Sequence, residues 1–333
     1  MKINRVRLTD FLVFKGKQPL DISFNDGINV IIGKNTTGKT TLLKCIYAAC
    51  EHSNTNNDSS KTKKFRHYFS PTLQHSDSDN GAIQVFSGEH ELHFNAWHGK
   101  GMAADKYLEW LNIGIKAIFI PSAEMLSHSK GLVAMSNKYG VPFDHTQIDI
   151  LVNAQLWETK EISDRNAKIL ALLGDAIDGE VIYENDMFYV IKNNGLKIEY
   201  ALEAEGLKRL GLLWKLTRNG LLEPGTILLW DEPESSVHPE HMSLVADVLL
   251  MLARDGVQVI ISSHEYAIAK YLELRKNDES EVLFISMYKE NDIIKAATAN
   301  SYSSLQNNAM EEAEEELYQE VVKKVAEDNG WQT

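Results

Sequence analysis

Three observations predict an α/β fold with a largely parallel core sheet for this chain. Short β-branched runs, INVIIG at 28–33, TILLW at 226–230 and VQVIIS at 257–262, recur between segments of helical spacing, and strands that alternate with helices pair in parallel. The first run enters a glycine-bearing loop that leads straight into a helix. The other two end in an acidic turn and in a histidine, at the carboxyl edge where open α/β sheets bind ligands.

The elements follow in order. KINRVRL and LDISF, near the N-terminus, alternate apolar and polar residues, the period of half-buried strands. KTTLLKCIYAAC at 39–50 switches to helical spacing, and EHSNTNNDSSK reads as a polar loop or insert. AIQVFSG and HELHFNAW form a second antiparallel pair, and IKAIFIPS from Ile115 is a buried strand stopped by Pro121. The antiparallel strands either join the core sheet or pack beside it. Residues 144–173 are mostly helical, and EVIYENDMFYVIKNNGLKIEY is a β excursion with NNG as its turn. An amphipathic helix begins near Leu202, another covers HMSLVADVLLMLARDG, and residues 305–330 form a terminal helix with Leu317, Val321 and Val325 on its apolar face. That face suits capping the domain or docking a partner.

Composition sets limits. With 44% hydrophobic and 24% charged residues, the 333-residue chain is globular. A net charge of −13 argues against coating nucleic acid; only the basic segment 61–67, KTKKFRH, offers such a contact. The N-terminus lacks the apolar core of a signal peptide, and no apolar run approaches the roughly 18 residues of a membrane span. A cytoplasmic protein without a membrane partner is expected. Cys45 and Cys50 lie on one helix and are not expected to pair.

GKNTTGKT, from Gly33 to Thr40, has the G-x-x-x-x-G-K-[ST] spacing. Such a loop turns successive backbone N–H groups toward phosphate oxygens, and the helix N-terminus adds positive potential. Lys39 reaches the β- and γ-phosphates, and the Thr40 hydroxyl takes a Mg²⁺ position. The pattern arises by chance in such a chain roughly one time in a hundred, and the strand before it and helix after it make chance rarer still. Gly33, Lys34, Asn35, Thr36, Thr37, Gly38, Lys39, Thr40 and Thr41 are therefore the expected nucleotide contacts. WDEPESSVHPE places Asp231, a Mg²⁺ ligand candidate, and Glu232, a general-base candidate, at a strand end. VIISSHEY brings His264 to the same edge, where an imidazole can contact a γ-phosphate.

Together GKNTTGKT, LLWDEPESSVHPE and VIISSHEY resemble the ATPase head of the ABC superfamily, in its RecF/SMC-like and overcoming-lysogenization-defect-like branch. IPSAEML at 120–126 and AEGLKRLG at 204–211 are similar to segments of compact AAA-type ATP-binding proteins found in bacterial anti-phage and abortive-infection operons. The resemblance implies a P-loop NTPase head: a mixed, mainly parallel core sheet, an antiparallel β subdomain, a small helical lobe and no long coiled coil. It implies one domain over 1–333, with lobe I at 1–120 and 225–300 and a helical, signature-bearing lobe at 121–224. The cofactors implied are ATP and Mg²⁺, with Glu232, His264 and Lys39 catalytic. In such heads ATP is sandwiched between two copies, so Ala204, Gly206 and Lys208 would act on a partner's nucleotide. Ala204 stands where the family has a serine, so one hydroxyl is missing. A bulky residue at 206 is then expected to impair hydrolysis and leave folding intact.

Residues 235–238 correspond to the family's dimer-interface loop. No glutamine follows the KAIFI strand, so Ser122 or Glu124 stands in, Glu124 as a possible further metal ligand. Phe14 is either the adenine contact or a core residue. The function implied is an ATP-dimerised switch, a homodimer or higher assembly, controlling a separate nuclease or toxin effector. The alternatives are a RecF-like DNA-repair ATPase using 61–67, or a nucleotide-sensing scaffold with little turnover. The roughly 70 residues after His264 are too few for the nuclease domain of overcoming-lysogenization-defect proteins.

Overall fold

The computed structural model describes residues 1–53, 68–69, 81–95, 109–139 and 143–328. The basic segment 61–67 lies outside them. Strands β1 (Arg5–Thr9), β2 (Leu20–Ser23), β3 (Ile28–Ile32), β4 (Ala82–Ser87), β5 (His90–Asn95) and β6 (Ala117–Ile120) precede β7 (Gly179–Glu184), β8 (Met187–Lys192) and β9 (Lys197–Glu199). β10 (Ile227–Asp231), β11 (Gln258–Ser263), β12 (Val282–Glu290) and β13 (Ile293–Ala299) follow. The α-helices are α1 (Lys39–His52), α2 (Leu132–Tyr139), α3 (His145–Gln155), α4 (Asp164–Ile177), α5 (Glu205–Arg218), α6 (Pro239–Arg254), α7 (Tyr266–Arg275) and α8 (Ala309–Asp328).

The core sheet runs β13-β12-β3-β11-β10-β6 and is parallel except at its β12–β13 edge. Strands β3, β6, β10 and β11 are buried on every residue, as their continuous apolar runs require. Ile118, Ile120, Leu228, Trp230, Val259 and Ile261 face a helical layer with α4, α5 and α6. Phe119, Ile227, Leu229 and Ile260 face α1 and the antiparallel strands. Those strands form their own sheet, β2-β1-β4-β5, beside the core sheet and not within it. Fully buried Gln258 ties the two together: its amide accepts from Ile3 N and donates to the carbonyls of Ile3 and Asn25. Cys45 and Cys50 are both buried and form no disulfide.

The helical stretch from Asp144 is broken at 156–163. Asp144 opens α3 with a capping box closed by Gln147, and Ser163 caps α4. Two contacts join α3 to α1. Lys44 Nζ lies 2.5 Å from Asp144 Oδ2, and the Tyr47 hydroxyl donates to Asp149 at 3.0 Å. Burial pushes the Asp149 carboxyl up to about 6, against the Tyr47 hydrogen bond.

Strands β12 and β13 and helix α7 extend the sequence reading. Both β7–β8 and β12–β13 turn on an Asn–Asp pair with positive φ, Asn185–Asp186 and Asn291–Asp292, a hairpin signal. NNG joins β8 to β9 instead. The terminal helix keeps its apolar residues exposed, with Leu317, Tyr318 and Val321 more than half accessible. Among the described residues, no helix is long and apolar enough to cross a membrane.

Candidate functional site

Strand register assembles the site. Asp231 pairs with Ser262, Ser263 with Ile32, and Ser286 with Ile32, so β3, β10 and β11 end at one level, beside Ser286 within the longer β12. The residues that follow, Gly33, Glu232, His264 and Met287, are thereby neighbours although their segments are far apart in sequence.

The loop after β3 has the cradle form. Gly38 carries φ +90°, and no side chain caps α1 behind it, so the first N–H groups of the helix are free to meet an anion. Gly33 has no room for a side chain, since a Cβ there would lie 2.3 Å from the Met287 carbonyl. Thr36 is exposed at φ +72°, while Lys34 and Asn35 lie exposed beside it and Thr37 is buried, its hydroxyl on the Lys34 carbonyl. Lys39 crosses the loop beneath them, donating to the Gly33 carbonyl at 2.7 Å and the Lys34 carbonyl at 3.3 Å. Burial lowers its pKa, while Glu232, Asp231 and Glu234 oppose the shift. Thr41 continues the first turn of α1.

Thr40 Oγ1 lies 2.9 and 3.1 Å from the two carboxylate oxygens of buried Asp231. One hydroxyl and one carboxylate, with phosphate oxygens and water to complete the shell, suit Mg²⁺. Ser262 Oγ donates to Asp231 at 2.5 Å and fixes it. Glu232 adopts φ +53°, a sparsely populated conformation for a non-glycine residue. Its N–H is held by the Ser262 carbonyl at 3.0 Å. His264 Nε2 lies 3.2 Å from Glu232 Oε1. Burial and then the Lys39 charge lower the His264 pKa, so the imidazole is neutral at pH 7. The arrangement offers phosphate contacts, a cation site, and a carboxylate–imidazole pair at one sheet edge.

Other predicted residues sit differently. The Glu124 carboxylate is turned into its own loop, accepting from Leu126 N at 2.5 Å and Ser127 N at 3.2 Å. Phe14 is 3% exposed, packed in the core with its ring beside Gly38. Ala204 is the N-cap of α5 and supplies no capping side chain. Lys208 and Arg209 are buried within their own chain: Lys208 pairs with Glu205 at 2.6 Å, and Arg209 donates to the carbonyls of Pro121 and Ser122.

Gly206 has a reason inside its own chain. A Cβ there would stand 2.6 Å from the Ser236 carbonyl and 3.2 Å from Val237 Cα, in the loop after the carboxylates. The expectation that a bulky residue leaves folding intact is therefore corrected. Gly206→Val should cost about 1–3 kcal/mol, seen as a lower melting temperature. An unchanged melting temperature would show that the 236–238 turn yields freely.

Sequence reasoning passed over Glu234. Its Oε1 accepts from His264 N at 2.6 Å, and burial raises its pKa to about 6. The signal available was a third carboxylate in WDEPE.

The SMC head bound to the C-winged helix domain of ScpA superposes with a TM-score of 0.54 at 14% identity, covering 93% of this chain and 100% of that one. The SMC head domain from Thermotoga maritima gives 0.46 at 16% identity, covering 89% and 98%. At such identity the first likeness speaks for the fold alone, that of an SMC head. No curated protein sequence matches the chain. Residues 53–269, a span that contains Asp231, Glu232 and His264, match the family described as "AAA domain, putative AbiEii toxin, Type IV TA system", and the chain belongs to that family.

Proposed function

We propose that the protein is an ATP-hydrolysing switch that closes head-to-tail on a second copy around ATP and controls a separate effector in bacterial anti-phage or abortive-infection defence. The observation that carries the ATPase reading is the convergence of Lys39, Thr40, Asp231, Glu232 and His264 at the carboxyl edge of one sheet. Lys39 and the N–H groups of the loop grip the β- and γ-phosphates. Mg²⁺, held by Thr40 and Asp231, would neutralise phosphate charge. Glu232 takes a proton from the attacking water as its oxygen bonds to the γ-phosphorus and the bond to the β–γ bridging oxygen breaks. His264 orients Glu232 and meets the γ-phosphate. Ala204 and Gly206 of a second copy would close over the nucleotide, and the family membership supports the defence role.

Lys208, held by Glu205 in its own chain, reaches a partner's phosphate only by releasing that pair. The missing hydroxyl at Ala204 favours a second reading, a nucleotide sensor with slow turnover.

Light scattering on Glu232→Gln, with and without ATP and Mg²⁺, tests the switch. A nucleotide-driven doubling of mass is expected. A constant monomer would overturn closure in trans and favour the sensor.

A further inference from the structure

The residue that holds the catalytic histidine has no role in the reading above. Glu234 stands two residues beyond Glu232, on the turn leading from β10 to α6. Its Oε1 accepts the backbone N–H of His264 at 2.6 Å. It bridges two loops that no sheet hydrogen bond joins, since β10 and β11 have already ended at Asp231 and Ser263. Its other oxygen is also buried, and the Ser263 hydroxyl acts on the same carboxylate. The Glu234 carbonyl accepts from Val237 N at 2.9 Å, which fixes the turn that rests on Gly206. The same short segment thus touches α5 at one end and the histidine at the other.

We propose that Glu234 is a positioning residue, holding the His264 backbone so that the imidazole stays within reach of Glu232. This rests on the ATPase reading of the site. The physical basis is that a buried acceptor within hydrogen-bond distance fixes the N–H donated to it, whether that acceptor is charged or neutral. His264 lies outside the strand ladder that would otherwise fix its backbone. Loss of about an ångström of positioning costs on the order of 10²-fold in rate.

The test compares Glu234→Ala and Glu234→Gln. Glutamine keeps the volume and an acceptor oxygen; alanine keeps neither. Alanine should lower kcat by roughly 10-fold or more while ATP affinity stays within about 2-fold. Glutamine should retain turnover within about 3-fold of wild type. Combining Glu234→Ala with His264→Ala should be no slower than His264→Ala alone, because the two act as one unit. A readout independent of turnover is diethyl pyrocarbonate labelling of His264, followed by mass spectrometry. Labelling should accelerate severalfold in Glu234→Ala and stay at the wild-type rate in Glu234→Gln.

Wild-type labelling and turnover in Glu234→Ala would overturn the proposal. So would a glutamine variant as slow as alanine, which would make Glu234 a proton acceptor instead. If alanine fails to fold, Glu234→Leu, which fills the volume and accepts nothing, takes its place. A wild-type protein that hydrolyses no ATP would refute the ATPase reading alone, since labelling still decides the positioning.

Discussion

Lys39→Ala should weaken ATP binding by at least about 10²-fold. The ammonium reaches a phosphate-binding position from the first residue of α1, and at 6% exposure it has little water to compete with a bound anion. Each charge-assisted hydrogen bond lost is worth about 1.5–3 kcal/mol, and two of them amount to roughly two decades of affinity or more. Three carboxylates, Glu232, Asp231 and Glu234, act on the same ammonium. Without it their negative potential faces the triphosphate directly, which adds to the loss. The variant also gives up the bonds to the Gly33 and Lys34 carbonyls, so calorimetric titration with ATP belongs beside a melting curve. A folded variant with affinity within about 3-fold of wild type would refute the phosphate-loop assignment.

Glu232→Gln should separate binding from turnover. Glutamine is isosteric and keeps an oxygen facing His264 Nε2, now at 3.2 Å from the carboxylate, so ATP affinity should hold within a few-fold. The carboxylate that accepts the water proton is gone, and general-base loss costs about 10²–10⁴-fold in kcat. The acid side of the wild-type profile should also lie low, because burial and Lys39 keep His264 neutral to below its ordinary 6.5. Phosphate release measured across pH 5–8 under saturating ATP reads both effects. Unchanged turnover would remove Glu232 as base and leave Glu234 the carboxylate nearest to that role.

Much of this arrangement is legible in the sequence because its causes are local. INVII, ILLWD and QVIISS are buried on every residue and read as core strands, with Gly33, Asp231 and the residues after Ser263 at their ends. The antiparallel strand AIQVFS alternates cleanly in burial. Strand β12 has no such signature, being buried over Phe284–Met287 and exposed beyond. Its turn uses Asn291–Asp292 and not the glycine that a hairpin search favours. The contacts of Gly206 with Ser236, of Arg209 with Pro121 and of Glu234 with His264 join segments about 30 to 90 residues apart. No spacing rule announces them. Sequence supplied the chemistry at the sheet edge; the tertiary structure supplied which groups restrain which.

One consequence reaches past the nucleotide. Lys44–Asp144 and Tyr47–Asp149 fasten α1 to α3 through two partly buried polar contacts on successive turns. Such fastening ties the helix that opens at Lys39 to the start of α3. Any movement of α3 relative to α1 must therefore first break a partly buried polar contact, which costs about 1–3 kcal/mol.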